Sequence, residues 1–111
     1  MYVRKIVCLA NSRKPPSGGR CIAGKETEGP RAGQWIRPVS ARADNAITEE
    51  QRRYENGQRA QLLDIITIHL ETYLPIGHQR ENHVIADEYW SKDGVASWDL
   101  VTTLIDPYDA N

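Results

Sequence analysis

The chain has 111 residues, 40% of them apolar and 26% charged, a composition that suits one globular domain with a modest core and argues against wholesale disorder. No apolar run approaches the ~18 residues that a membrane span needs. The net charge of −1 conceals an uneven distribution: residues 1–42 carry nine Lys/Arg and two Asp/Glu, whereas residues 43–111 carry five and thirteen.

A positive first half and a negative second half point to a partner of opposite charge, or to attraction between the two halves of the chain itself. Met1-Tyr2-Val3-Arg4-Lys5 offers no apolar signal core, so a cytoplasmic location is expected. There Cys8 and Cys21 stay reduced, and no structural disulfide is expected.

Residues 3–10 (VRKIVCLA) form the clearest strand. Ile6, Cys8 and Ala10 share one face, and Val7 and Leu9 the other, the pattern of a strand covered on both sides. Arg4 and Lys5 mark its exposed start. Residues 11–19 read as a loop because Pro15-Pro16 and Ser17-Gly18-Gly19 interrupt any regular element. Arg13 and Lys14 stand at its entrance and Arg20 at its exit. Residues 20–25 form a short second strand. A polar turn over 26–33 is centred on Gly29-Pro30, and residues 34–39 form a third strand, which Pro38 confines to an edge or a strand end. Thr48 and Gln51 have capping-box spacing, predicting a short helix over 48–55 closed by Asn56-Gly57.

Residues 61–70 form a fourth strand, dense in β-branched residues, with Asp64 near its start, where solvent or a backbone N–H satisfies the carboxylate. A long loop over 71–83 leads to a short fifth strand at 83–86. A polar turn at 91–94 follows. Ser97 then caps a C-terminal helix through Ile105, with Trp98, Val101, Leu104 and Ile105 on one stripe and Asp106-Pro107 as its stop.

Three strands, a helix in a long crossover and two more strands is the order of a small five-stranded OB-like barrel, mainly β, with one helix between strands 3 and 4 and another at the C-terminus; the whole of 1–111 is read as this single domain. In an OB barrel the ligand lies across strands 2 and 3, between the loops joining strands 1–2 and 4–5. Projected onto this chain, that surface holds Lys25, Trp35 and Arg37 from the strands. The first loop adds Arg13, Lys14 and Arg20; the second adds Tyr73, His78, Gln79, Arg80, Asn82 and His83.

Cations that track phosphates, beside flat side chains that stack on bases, are what a single-stranded nucleic acid requires. Arg13, Lys14, Arg20, Lys25 and Arg37 are assigned to phosphates, Trp35 and Tyr73 to stacking, and His78, Gln79 and Asn82 to polar edges. Against this stand two plainer readings: Trp35 as a core or rim residue, and the basic segment as the electrostatic complement of the acidic half.

Enzyme signatures are weak. The Gly18-Gly19 loop lacks the GxxxxGK[ST] pattern. His78 and His83 are five apart with no second Cys/His pair, so neither a metal nor a cofactor is expected. A nuclease using His78 or His83 as general base near Arg80 and Glu81 is chemically conceivable, but no sequence feature fixes that geometry.

Several stretches in combination, Ile6 to Lys14, Gly18 to Gly24, Trp35 to Ser40, Leu63-Asp64-Ile65 and His78 to His83, resemble the dual OB-containing domain family of bacteria and their phages. The resemblance runs over nearly the whole chain. It implies an OB-like barrel and a role in nucleic-acid or ligand binding, with no catalytic residues to carry over. The family name refers to two barrels, so the chain is similar to the first half of such a protein, and a homodimer would restore the pair. The leading expectation is a non-enzymatic module for single-stranded nucleic acid. The alternatives are a protein-interaction accessory of a phage or defence system, using its basic face on an acidic partner, and a weak nuclease or nucleotide sensor centred on 71–83.

Overall fold

In the computed structural model, residues 1–14, 19–40, 47, 53–75 and 80–104 are described, with the side chains of residues 13, 14, 19 and 20 outside that description. Among the described residues, six strands and one helix follow in order: β1 (Tyr2–Lys14), β2 (Gly19–Glu26), β3 (Trp35–Val39), β4 (Asp64–Tyr73), β5 (Asn82–Ile85), β6 (Ser91–Val95) and α1 (Trp98–Thr103). The sheet order β1-β2-β3-β5-β4, with β4 returning to β1, closes a five-stranded barrel. β3 and β5 run parallel and every other pair is antiparallel. This is an OB-like barrel, and closure removes the open sheet edges that a small β protein must otherwise protect.

The length of β1 makes closure possible. Its first half pairs with β4, from Tyr2 opposite Leu70 to Val7 opposite Ile65, and its second half pairs with β2. The change of partner is accompanied by a bulge between Cys8 and Ala10, which bends the strand and increases its twist. Gly24 lies opposite Cys8, and a Cβ there would stand 2.2 Å from the Val7 carbonyl oxygen, so the close approach admits glycine alone.

Two apolar layers hold the structure. Inside the barrel, Ile6, Cys8, Ile22, Ile36, Ile66 and Ile68 are buried together with Trp90. Outside it, Val7 packs with Ala96 and Leu104, flanked by the half-buried Leu9, Ile65 and Leu100. The doubly covered β1 expected from its sequence is therefore present, with α1 supplying the outer cover.

Several boundaries differ from the sequence expectation. Residues 11–14, expected as loop, continue β1, because Asn11 to Lys14 pair with Ile22 to Gly19 in an extended hairpin. Residues 91–94, expected as a turn, belong to β6, which pairs with β4 from Asp64 opposite Val95 to Thr67 opposite Ser91. Most of the helix expected over 48–55 lies outside the described residues. Its described end is not helical: Arg53 and Tyr54 form bridges to Arg59 and Trp90, around a turn in which Gly57 has φ 90°.

At α1, Ser97 caps as expected, its hydroxyl accepting from the Leu100 N–H at 3.2 Å. Leu104 is buried, but Trp98 is 71% exposed, because the six-residue helix turns Leu100, Val101 and Leu104 toward Val7. Ile105 and Asp106-Pro107 lie outside the described residues. Cys8 and Cys21 lie opposite Gly24 and Ser12, not each other.

Candidate functional site

The start of β1, the end of β2, the start of β3, the end of β4 and the start of β5 meet at one end of the barrel. The β2–β3 turn and residues 80–81, the described end of the β4–β5 connection, border it. That turn is built by four backbone bonds: Glu26 N–H to Gln34 O (2.9 Å), Gly33 N–H to Glu26 O (2.8 Å), Ala32 N–H to Gly29 O (3.1 Å) and Gln34 N–H to Arg31 O (3.0 Å). Gly29 and Gly33 take φ of 82° and 88°, which a side chain would strain.

The inward register of β1 reads Cys8, Ile6, Arg4, Tyr2. The first two residues are core, and the last two reach the open end of the barrel. There a groove of about 430 Å³ opens, a size suited to a small ligand or to part of a longer one. Its aromatic walls are Tyr2, Trp35, Tyr73 and His83; its cations are Arg4, Arg31 and Arg80; its carboxylates are Glu26 and Glu81. Three guanidiniums against two carboxylates leave it net positive.

The aromatic side chains form a connected cluster. The Tyr2 hydroxyl hydrogen-bonds His83 Nδ1, and the two rings meet edge to face at 5.7 Å. Tyr73 is tilted against His83 at 5.1 Å and remains 47% exposed. The Arg4 guanidinium lies 4.8 Å over the Tyr2 ring. Burial pushes the Tyr2 phenol pKa up, with Arg4 opposing, and pushes the His83 imidazole pKa down, an effect that the Arg4 and Arg31 charges reinforce. That shift favours the neutral imidazole.

Glu26, 5% exposed, lies between Arg4 Nε at 3.3 Å and Arg31 Nε at 3.7 Å. Burial raises its carboxyl pKa, and the two cations hold that rise back. The same trio forms part of a second depression of about 320 Å³, lined also by Lys5, Glu28 and Thr67.

The residues assigned from sequence fall into three groups. Trp35, 40% exposed, and Tyr73 line the groove, on the exposed side that stacking requires. Lys25, Arg37 and Asn82 are otherwise engaged or buried. Lys25 is 4% exposed, donates to the Leu104 carbonyl at the end of α1 at 2.8 Å, and sits 5.1 Å over the Trp35 ring. Asn82 is fully buried. Arg37 pairs through Nε with Glu81 Oε1 at 3.2 Å, while its backbone N–H donates to the Glu81 carbonyl at 2.9 Å. Arg13, Lys14 and Arg20 stand on the β1–β2 hairpin, where Arg13 faces Arg20 across the ladder. Their side chains, and His78 and Gln79 entirely, lie outside the described residues.

Sequence reasoning missed Tyr2, Glu26, Arg31 and Gln34 as groove residues, and it read Arg4 as an exposed strand start. The signal that locates Tyr2 and Arg4 was the period-two register that had already placed Ile6 and Cys8. Among the described residues, no group of three or more His, Cys, Asp or Glu side chains could hold a metal ion, and no helix is long and apolar enough to cross a membrane.

The barrel topology and the match of a family model, the dual OB-containing domain, over residues 4–110 agree. The chain belongs to the dual OB-containing domain family. Its sequence resemblance is thus borne out over nearly the whole length. No curated protein and no solved structure matches this dual OB-containing chain. Membership suggests a binding module.

Proposed function

We propose that this dual OB-containing chain is a non-enzymatic binding module for single-stranded nucleic acid, and that the groove between the β2–β3 turn and the β4–β5 loop is where bases enter. The observation that carries the reading is the lining of that groove: exposed Trp35 and Tyr73 with guanidiniums beside them. Base–aromatic stacking contributes about 1–3 kcal/mol per base and tolerates every sequence, while cations follow the phosphates. Arg80 is exposed and makes no ion pair among the described residues, so its charge is available to a phosphate. Arg13, Lys14 and Arg20 stand on the β1–β2 hairpin, at the opposite ends of β1 and β2 from the groove, and are not assigned to it.

The test is fluorescence anisotropy of labelled single-stranded DNA and RNA oligonucleotides at low and moderate salt, with the same samples run afterwards on a gel. Salt-weakened binding of intact oligonucleotide is the expected result. No binding at low salt contradicts the reading and favours an acidic protein partner. A shortened oligonucleotide contradicts the non-enzymatic part and directs attention to His83.

A further inference from the structure

The walls of the groove are not uniformly basic, and its carboxylates need a purpose if a polyanion is to enter. Glu26 is accounted for by Arg4 and Arg31, one on each oxygen. Glu81 differs. Arg37 holds it twice, backbone to backbone and Nε to Oε1, which fixes the carboxylate in the wall. Its second oxygen, Oε2, has no partner among the described residues, although the side chain is only 25% exposed. Arg80, the preceding residue, lines the same groove and makes no ion pair among the described residues. A rigid acceptor and an unpaired cation are thus adjacent, beside a stacking surface.

We infer that the groove selects guanine, with Glu81 accepting from the donor edge of the base and Arg80 reaching its acceptor edge or the neighbouring phosphate. This rests on the nucleic-acid reading above and narrows it. The chemistry distinguishes the bases. Guanine presents N1–H and the N2 amino group side by side, with O6 and N7 acceptors on the adjoining edge, where arginine makes its commonest specific contact. A carboxylate is acceptor-only when ionised. Facing adenine or cytosine, it meets one amino donor beside a ring nitrogen that repels it. Facing thymine or uracil, it meets one N–H between two carbonyl oxygens. Guanine alone offers it paired donors with no flanking acceptor between them. Arg37 is a positioning residue in this scheme: it holds Glu81 and does not itself meet the ligand.

The experiment uses a short oligothymidylate carrying one central guanosine, inosine, adenosine or cytidine, which avoids self-association of guanine runs. Affinities are measured for the native chain and for Glu81→Gln, which keeps the shape of the side chain. The guanosine probe is expected to bind roughly tenfold more tightly than the adenosine and cytidine probes. Inosine, which lacks the N2 amino group, should lose much of that gain. Glu81→Gln should abolish the guanosine preference in a protein that remains folded, as checked by circular dichroism. Equal affinity for all four probes overturns the guanine inference and leaves the nucleic-acid reading standing. A preference that survives Glu81→Gln overturns the role given to Glu81. Failure of every probe to bind at low salt overturns both.

Discussion

The two ends of the barrel each place a carboxylate on the inner face of a strand, and they use it in opposite ways. At one end Asp64, at the start of β4 and 3% exposed, accepts from the Tyr54 hydroxyl at 2.7 Å and the Gln61 N–H at 3.0 Å, with Lys92 Nζ at 3.4 Å. Those three donors close the end. Leu63, held at φ 70°, tightens the closure by donating to Cys8 O and accepting from Ala96 N–H, each at 2.7 Å. At the other end the Glu26 carboxylate is met by two arginines, at 3.3 and 3.7 Å, and a groove opens beside it. A carboxylate with short neutral donors plugs a barrel. One flanked by partly exposed guanidiniums leaves room for a ligand to compete for them.

The largest effect expected on breaking this contrast is at the closed end. Asp64→Ala leaves the Tyr54 hydroxyl and the Gln61 N–H without their acceptor. It should cost about 3 kcal/mol and lower the melting temperature by roughly 15 °C, read by thermal denaturation. Oligonucleotide affinity of the folded protein should not change.

Next comes the open end. Trp35→Ala removes one stacking surface and should weaken oligonucleotide binding by about 2 kcal/mol, roughly 30-fold, in anisotropy titrations. Its effect on stability should be small, since the ring is 40% exposed. Glu26→Gln should change stability by no more than about 1 kcal/mol in chemical denaturation, because the loss of two ion pairs is offset by the removal of a poorly solvated charge. A loss as large as that of Asp64→Ala would erase the distinction between the two ends.

The pH dependence sharpens it further. The His83 pKa is lowered in the folded state from an ordinary 6.5, so the unfolded chain binds the proton more readily. The contribution is fully present above pH 6.5 and is lost as pH falls through the folded value. Glu26 runs the other way, because its folded pKa is raised above 4.5. Its contribution is full below pH 4.5 and is lost as pH rises through the folded value. Denaturation of His83→Gln across the acidic side of pH 6.5 should show a flatter decline than the native chain. Smallest of all, Arg80→Ala should reduce the slope of log affinity against log salt by about 0.7, one single-strand phosphate contact.

The barrel was legible because its five strands advertise themselves by alternation or β-branched density, from Ile6 and Cys8 in β1 to Ile66 and Ile68 in β4. β6 was not legible. Ser91-Lys92-Asp93-Gly94 buries almost nothing, so no apolar period marks it, and only pairing with β4 makes it a strand. The site was half legible. Trp35 and Tyr73 are side chains whose type suggests a role wherever they occur. Lys25 and Arg37 were assigned to a ligand because their partners, the Leu104 carbonyl and Glu81, are 79 and 44 residues away in sequence. Tyr2 and Glu26 become groove residues only when β1 and β2 end at the same rim.

The most direct test of the groove is a nitrogen–proton correlation NMR titration with a single-stranded oligonucleotide. Shifts should concentrate on Tyr2, Arg31, Gln34, Trp35, Tyr73 and Arg80, including the indole N–H of Trp35, and should leave the Asp64 end and β6 undisturbed. Saturable shifts confined to β6 and α1, with the rim residues unmoved, would contradict the account.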